Sequence, residues 1–292
     1  MKRRFFAQLR ETAQMIKISH SVFALPFALA SAALAMRGHG GWSWETIFWI
    51  VLCAVFARTA AMAQNRLVDA RLDAENPRTA SRALPAGRVT TGFVRDLVLG
   101  SSVVFVLCAW MLNDLCLYLS PVVLVVLLTY PYAKRFTALS HVWLGASLGL
   151  APVGAWVAVR GNFEGVETAV TLGLGVLLWT AGFDIIYACQ DFDTDRRAGL
   201  HSVPARLGIA GALRLSVVLH VLCLAILAAA LWINPHLGGA YIAGLAVAAA
   251  ALAYEHAIVK PDDLSRVNLA FFTLNGVVSI VIGGAVLVDA FV

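Results

Sequence analysis

Charge is what this 292-residue chain has least of: Asp, Glu, Lys and Arg together make up 13% of it, where a soluble domain carries about 25%. With 60% hydrophobic residues and a mean hydropathy of +0.81, that scarcity excludes an ordinary soluble globule and identifies an integral membrane protein. Paired cysteines are missing as well. Cys53, Cys108, Cys116, Cys189 and Cys223 lie scattered through apolar runs with no CxxC among them. This excludes a disulfide framework or a cysteine zinc cage and makes them small core residues. The seven histidines show no HExxH or paired ligand spacing. They read as structural or interfacial, with His20 left open because it begins the first apolar run. Low-complexity linkers are absent, so residues 1–292 form a single membrane domain. Strict apolar–polar alternation is missing too, and the long continuous runs exclude a β-barrel in favour of helices.

What is present is a series of apolar runs near the roughly 20 residues that a spanning helix needs. Nine qualify, at 19–36, 43–63, 94–112, 115–133, 140–159, 166–190, 210–233, 236–257 and 267–291. The expected architecture is therefore all-α, a bundle of nine spans. The basic start (Lys2, Arg3, Arg4) resembles a signal n-region, but the run after it is long and lacks a cleavage site, so it reads as a retained first span. Basic residues crowd one set of loops: Lys2 to Lys17, Arg66 to Arg95, Lys134 and Arg135, Arg196 to Arg214, Lys260 and Arg266. The opposite set holds only Arg37 and Arg160. The positive-inside rule then puts the N-terminus in the cytoplasm and the C-terminus outside. Orientation accounts for the net charge of +5 and the pI of about 9.1, so no nucleic-acid partner is needed; the partner of the surface is the bilayer.

Against this background, Asp69 and Asp73 close one apolar run, and Asp191 and Asp195 repeat the spacing far down the chain. Carboxylates at i and i+4 share a helix face and repel each other. A divalent metal removes that repulsion, and Mg²⁺ is typically held by a few carboxylates plus substrate phosphates. Asn65, Asp69 and Asp73 share one predicted helix face, with Arg58 two turns earlier. Asp184, Tyr187, Asp191 and Asp195 form a second stripe, from which Asp193 points away. An ionisable residue inside a span is a functional-site hypothesis; the plain alternative for Arg58 is a side chain that snorkels or pairs with an acid. For one DxxxD alone, a solvated helix end competes; two in matching positions favour a metal-bridged phosphate site. Arg71, Arg78, Arg82, Lys134 and Arg135 stand nearby, Arg suited to bidentate phosphate contacts and Lys to a point charge, although positive-inside charge accounts equally for any single one. The two motifs sit alike in a weak internal repeat, with 19–133 and 140–257 as related units and 267–291 appended.

These motifs resemble the UbiA superfamily of intramembrane prenyltransferases. N-x3-D-x3-D matches Asn65, Asp69 and Asp73, followed by the stretch from Arg78 to Gly87. D-x2-YA-x2-D-x3-D matches Asp184, Tyr187, Asp191 and Asp195, and YxxxK matches Tyr130 and Lys134. The resemblance implies nine helices around a cavity open to lipid, capped by cytoplasmic loops. It implies Mg²⁺ and a polyprenyl diphosphate held by Asn65, Asp69, Asp73, Asp191 and Asp195, with Lys134, Arg78 and Arg82 on the diphosphate. It makes Arg58 and Arg135 candidates for the acceptor's carboxylate, and lets Asp184 and Tyr187 position acceptor or diphosphate. The opening Ile16-Lys17-Ile18-Ser19-His20-Ser21 departs from the Arg-Pro opening of many 4-hydroxybenzoate enzymes and is similar to a subgroup that includes enzymes of futalosine-route menaquinone synthesis. The implied reaction is prenylation of an aromatic acid, 4-hydroxybenzoate or 1,4-dihydroxy-6-naphthoate, in ubiquinone or menaquinone biosynthesis at a bacterial inner membrane. Two alternatives stand beside it. One is a relative with a non-aromatic acceptor, haem or a glycerol lipid. The other is a secondary transporter, which two related halves suit but which the clustering of acids at one face opposes.

Overall fold

A computed structural model describes residue 11 and residues 23–37 and 41–292. The regular structure among the described residues is all helical, apart from one isolated bridge between Lys260 and Asp263. The helices are α1 (Leu25–Arg37), α2 (Trp44–Val68), the short α3 (Ala70–Glu75), α4 (Thr91–Leu112), α5 (Asp114–Ala133), α6 (Ser140–Arg160), α7 (Glu167–Ala188), the short α8 (Phe192–Arg197), α9 (Val203–Ile233), α10 (Gly239–Ile258) and α11 (Asn275–Phe291). A single 3-10 turn (Cys189–Asp191) joins α7 to α8, and a π turn (Leu269–Leu274) leads into α11.

Eight of the helical segments among the described residues are long and apolar enough to span a bilayer. The ninth expected span, the first in the chain, is described only in part. Helix α1 has 13 residues, about 20 Å at 1.5 Å per residue, short of the roughly 30 Å hydrocarbon layer. Residues 19–22 of that expected span lie outside the described residues, as do Lys2, Arg3, Arg4, Arg10, Lys17 and His20.

Local chemistry sets the helix ends. Ser43, Thr90 and Ser202 each cap a helix by accepting from the backbone N–H three residues on, which satisfies a donor that the first turn leaves orphaned. Pro204 sits in the first turn of α9, where its missing N–H is harmless. Asn113 ends α4 and starts α5, accepting from Cys116 N–H at 2.9 Å and donating to Val157 O at 3.0 Å. Gly161, at φ 67°, closes α6.

Helix α2 packs on α4 and α5, α6 on α1, α5 and α7, α7 on α9, and α10 and α1 on α11. The α6–α7 contact is backbone to backbone. A Cβ added at Gly149 would stand 2.5 Å from Gly173 O, and one at Gly173 equally close to Gly149 O. Small residues at four-residue spacing allow this approach, which substitutes in a membrane for the missing hydrophobic drive between helices. It matters for function because α6 and α7 each deliver a side chain to the same cavity.

Candidate active site

The first acidic motif lies where α2 stops. Asp69 is its C-cap, at φ −92° and ψ 5°, and α3 restarts at Ala70. The predicted continuous stripe is therefore broken at Asp69, although Asp73 N–H still bonds to Asp69 O at 2.7 Å. The second stripe is broken in the same way, since α7 ends at Ala188 and Asp191 closes the 3-10 turn. Each motif thus sits on a helix end that turns, which points its carboxylates into a cavity instead of along a lipid face.

Asp69 and Asp73 are 4% and 7% exposed. A buried carboxylate without a partner is strongly unfavourable, and both are paired. Asp69 accepts from Lys134 Nζ at 2.6 Å and Arg135 Nη2 at 3.1 Å, while Asn65 Nδ2 stands 3.4 Å away. Asp73 accepts from Arg82 Nη1 at 2.6 Å, and Thr79 Oγ1 donates to its backbone carbonyl at 2.9 Å. Asp191 accepts from Asn76 Nδ2 at 2.7 Å and is gripped bidentately by Arg78, whose Nε lies 2.9 Å from Oδ1. Arg78 also donates to the Tyr187 hydroxyl at 2.9 Å. Burial pulls the Arg78 pKa down, but the hydrogen bond and charge of Asp191 outweigh it, and the net shift is upward.

Two motifs more than a hundred residues apart in sequence thereby meet. Arg78, from the loop after the first, closes on Asp191 of the second. All four motif acids line one cavity of about 440 Å³, with Asn65, Arg78, Arg82, Lys134, Asp184 and Tyr187 in its wall. Arg135 donates to Asp69 and to Val68 O and lies in the wall of neither this cavity nor the apolar one below it. Arg71 is exposed beside Glu75, away from the cavity, and Asp193 is exposed.

Below this polar cavity lies an apolar one, also about 440 Å³, walled by α1, α2, α4, α5 and α6. Met62, Tyr130 and Leu144 border both. Arg58 lines the apolar cavity and not the polar one, and its Nε is buried without a hydrogen-bond partner.

Among the described residues no three Asp, Glu, His or Cys side chains converge as a ready metal cage. The donor set nonetheless fits Mg²⁺. Asn65, Asp69, Asp73, Asp191 and Asp195 offer hard oxygens to one cavity, and Asp73 Oδ2 is buried with no hydrogen-bond partner. Several wall residues were not singled out in the sequence, among them Asn76, Phe271 and His141. Asn76 bridges to Asp191. Phe271, on the π turn, lies on Tyr187 with ring centroids 4.2 Å apart. His141, read as structural or interfacial, lines the cavity and bonds Asp184; its only sequence signal was its place at the start of a span facing Lys134 and Arg135.

A helical membrane bundle with two acidic motifs facing one another across a cation-rich cavity is suited to hold a metal-bound polyanion within a membrane. Residues 24–277 match the UbiA prenyltransferase family, and the chain belongs to that family. It is similar to the 4-hydroxybenzoate octaprenyltransferases of Pseudomonas fluorescens (33% identical over 82% of this chain and 79% of the relative) and Vibrio campbellii (30% over 86% and 87%). Among solved structures, an apo UbiA homologue of Aeropyrum pernix K1 superposes with a TM-score of 0.84 at 36% identity, covering 93% of this chain and 98% of that one. A UbiA homologue of Archaeoglobus fulgidus bound to DMAPP and Mg²⁺ shares the fold at 15% identity, with a TM-score of 0.75 over 97% and 99%. The protein is a prenyltransferase, and the transporter alternative falls.

Proposed function

We propose that this enzyme moves a polyprenyl group from its diphosphate to a ring carbon of an aromatic acid, of the 4-hydroxybenzoate or 1,4-dihydroxy-6-naphthoate kind, for ubiquinone or menaquinone synthesis. The diphosphate occupies the polar cavity, which faces the cytoplasm of a bacterial inner membrane, with the C-terminus outside. Asn65, Asp69, Asp73, Asp191 and Asp195 hold Mg²⁺. When bound, the metal neutralises charge on the leaving diphosphate.

The chain's own residues supply the rest. Lys134, Arg78 and Arg82 turn from the resting carboxylates to the phosphate oxygens and stabilise the charge that develops as the allylic C–O bond breaks. The apolar cavity takes the prenyl chain and excludes water from the electron-poor carbon. Arg58, a cation with an unsatisfied N–H in that apolar space, binds the acceptor's carboxylate. Asp184 and Tyr187 line the polar cavity and orient the acceptor ring. Arg135 serves as a brace for Asp69.

The observation that carries this reading is the adjacency of the two cavities: a polar one built from both acidic motifs and an apolar one containing a single half-buried arginine, sharing Met62, Tyr130 and Leu144 as a threshold. The test is turnover of purified protein with Mg²⁺, a polyprenyl diphosphate and each aromatic acid, following diphosphate release and prenylated product. Asp69→Ala and Asp191→Ala each lower kcat by ~10² or more, the scale of losing one preorganised electrostatic group. Substantial activity in both variants overturns the metal assignment, and turnover only with haem or a glycerol lipid overturns the acceptor.

A further inference from the structure

We propose that Asp184 is the base that removes the proton from the acceptor's ring carbon and that His141 is its positioning residue. The proposal rests on the aromatic-acceptor reading above and deepens it.

His141 Nδ1 and Asp184 Oδ2 are 2.7 Å apart. Val203 N–H points at His141 Nε2 from 3.3 Å, so Nε2 accepts and the ring proton resides on Nδ1, where it is donated to Asp184. The histidine is 4% exposed and fixed at both nitrogens; Asp184 is the more open partner, and both line the polar cavity. The close approach of α6 and α7 at Gly149 and Gly173 supports this pairing across 43 residues of sequence.

Asp184 differs from Asp69, Asp73 and Asp191 by what holds it, and from Asp195, which likewise makes no ion pair with Lys or Arg among the described residues, by lying within α7. Asp69, Asp73 and Asp191 are each tied to Lys or Arg, which suits them to a metal and a diphosphate. Among the described residues Asp184 makes no ion pair with Lys or Arg; its partner is the histidine. It also lies deeper. Seven residues separate it from Asp191, about 10 Å along a helix, and Leu144, a turn from His141 on α6, is one of the three residues at the threshold between the cavities. A ring whose carboxylate reaches Arg58 and whose attacking carbon reaches the diphosphate must cross that threshold. A carboxylate whose lone pairs no Lys or Arg claims has an oxygen free to take a proton, and the single hydrogen bond from His141 fixes its direction.

The step balances. The C–O bond of the prenyl diphosphate breaks with its electron pair passing to the diphosphate. A π pair of the acceptor ring forms the new C–C bond. The C–H pair at the attacked carbon returns to the ring, and the proton goes to an Asp184 oxygen.

The experiment compares wild type, Asp184→Asn, His141→Ala and His141→Gln with ring-protonated and ring-deuterated acceptor. It counts diphosphate against prenylated product. Asn keeps the shape of Asp184 without its basicity. Gln keeps a donor for Asp184 and an acceptor for Val203 N–H. The expected result for Asp184→Asn is a kcat lower by ~10² to 10⁴, the contribution of a general base, with KM for the prenyl diphosphate unchanged. Its deuterium isotope effect exceeds that of wild type, and diphosphate release exceeds product, the balance appearing as prenyl alcohol. His141→Ala shows the same signature at smaller size, and His141→Gln returns towards wild type. A kcat within about threefold of wild type in Asp184→Asn, or equal loss of diphosphate and product with an unchanged isotope effect, overturns the proposal. If Asp184→Asn does not fold, an unchanged isotope effect in His141→Ala overturns it. Wild type without turnover on any aromatic acid instead refutes the acceptor reading itself.

Discussion

Arg78 joins what the chain keeps far apart. It reaches from the loop after the first acidic motif, grips Asp191 with two N–H groups and gives a third hydrogen bond to Tyr187. Only a planar guanidinium has donors in the right places for all three. The hydrogen bond and charge of Asp191 raise the Arg78 pKa against partial desolvation, and a phosphate in the place of Asp191 would favour the charged form in the same way. Arg78→Ala is expected to lower kcat/KM for the prenyl diphosphate ~10- to 100-fold, the value of one to two charge-assisted contacts. Arg78→Lys should recover little, because an ammonium cannot serve Asp191 bidentately and Tyr187 together; steady-state kinetics with varied prenyl diphosphate checks both. Arg58 belongs to the other substrate. Arg58→Leu should raise KM for the aromatic acid ~10- to 100-fold while leaving KM for the prenyl diphosphate unchanged, since an Arg–carboxylate contact in an apolar cavity loses a charge-assisted bond of about 1.5–3 kcal/mol. Equal changes in both constants would place Arg58 on the diphosphate instead.

At the scale of elements, the site depends on helices that stop in the right place and pack closely enough. The acids themselves were legible in the sequence, because a four-residue spacing is local and charge stands out in an apolar chain. Their meeting was legible only by analogy of the two motifs. The breaks at Asp69 and after Ala188 were not legible, since i,i+4 spacing reads the same through a continuous helix as through one that restarts a residue later. His141 was missed because its partner is supplied by tertiary packing of α6 on α7, and Phe271 because nothing in an apolar run announces a π turn. The α6–α7 contact gives a direct prediction. Gly149→Val places methyl groups where Gly173 O already stands, and overpacking of this kind destabilises by about 1–3 kcal/mol. The Tm in detergent should fall. Turnover should fall with it, because separating α6 from α7 draws His141 away from Asp184. A variant with unchanged Tm would show that the helices separate without penalty.

At the scale of the whole molecule, the acidic motifs and most basic loops occupy one end of the bundle. Helix α2 ends at Val68 beside Asp69, and α6 begins at Ser140 beside His141; at the far ends of α1 and α6 stand Arg37 and Arg160. The loops at the motif end also interlock, with His201 N–H donating to Lys134 O at 2.8 Å. This asymmetry is the physical basis for the proposed orientation, since cytoplasmic loops retain Lys and Arg. Labelling tests it without disturbing the site. Arg71 and Glu164 are both exposed, on loops or helix ends at opposite ends of the bundle. Arg71 loses only an exposed ion pair with Glu75 on substitution, a contact worth little. The native cysteines are buried or half-buried within apolar helices or at their ends, which leaves them poor targets for a charged reagent. In cell-derived vesicles, a membrane-impermeant maleimide should modify Arg71→Cys when vesicles are inverted and Glu164→Cys when they are right side out, with turnover retained in both variants. The reverse pattern would place the diphosphate cavity outside the cell, where a cytoplasmic pool of prenyl diphosphate could not reach it, and the proposed reaction would lose its donor.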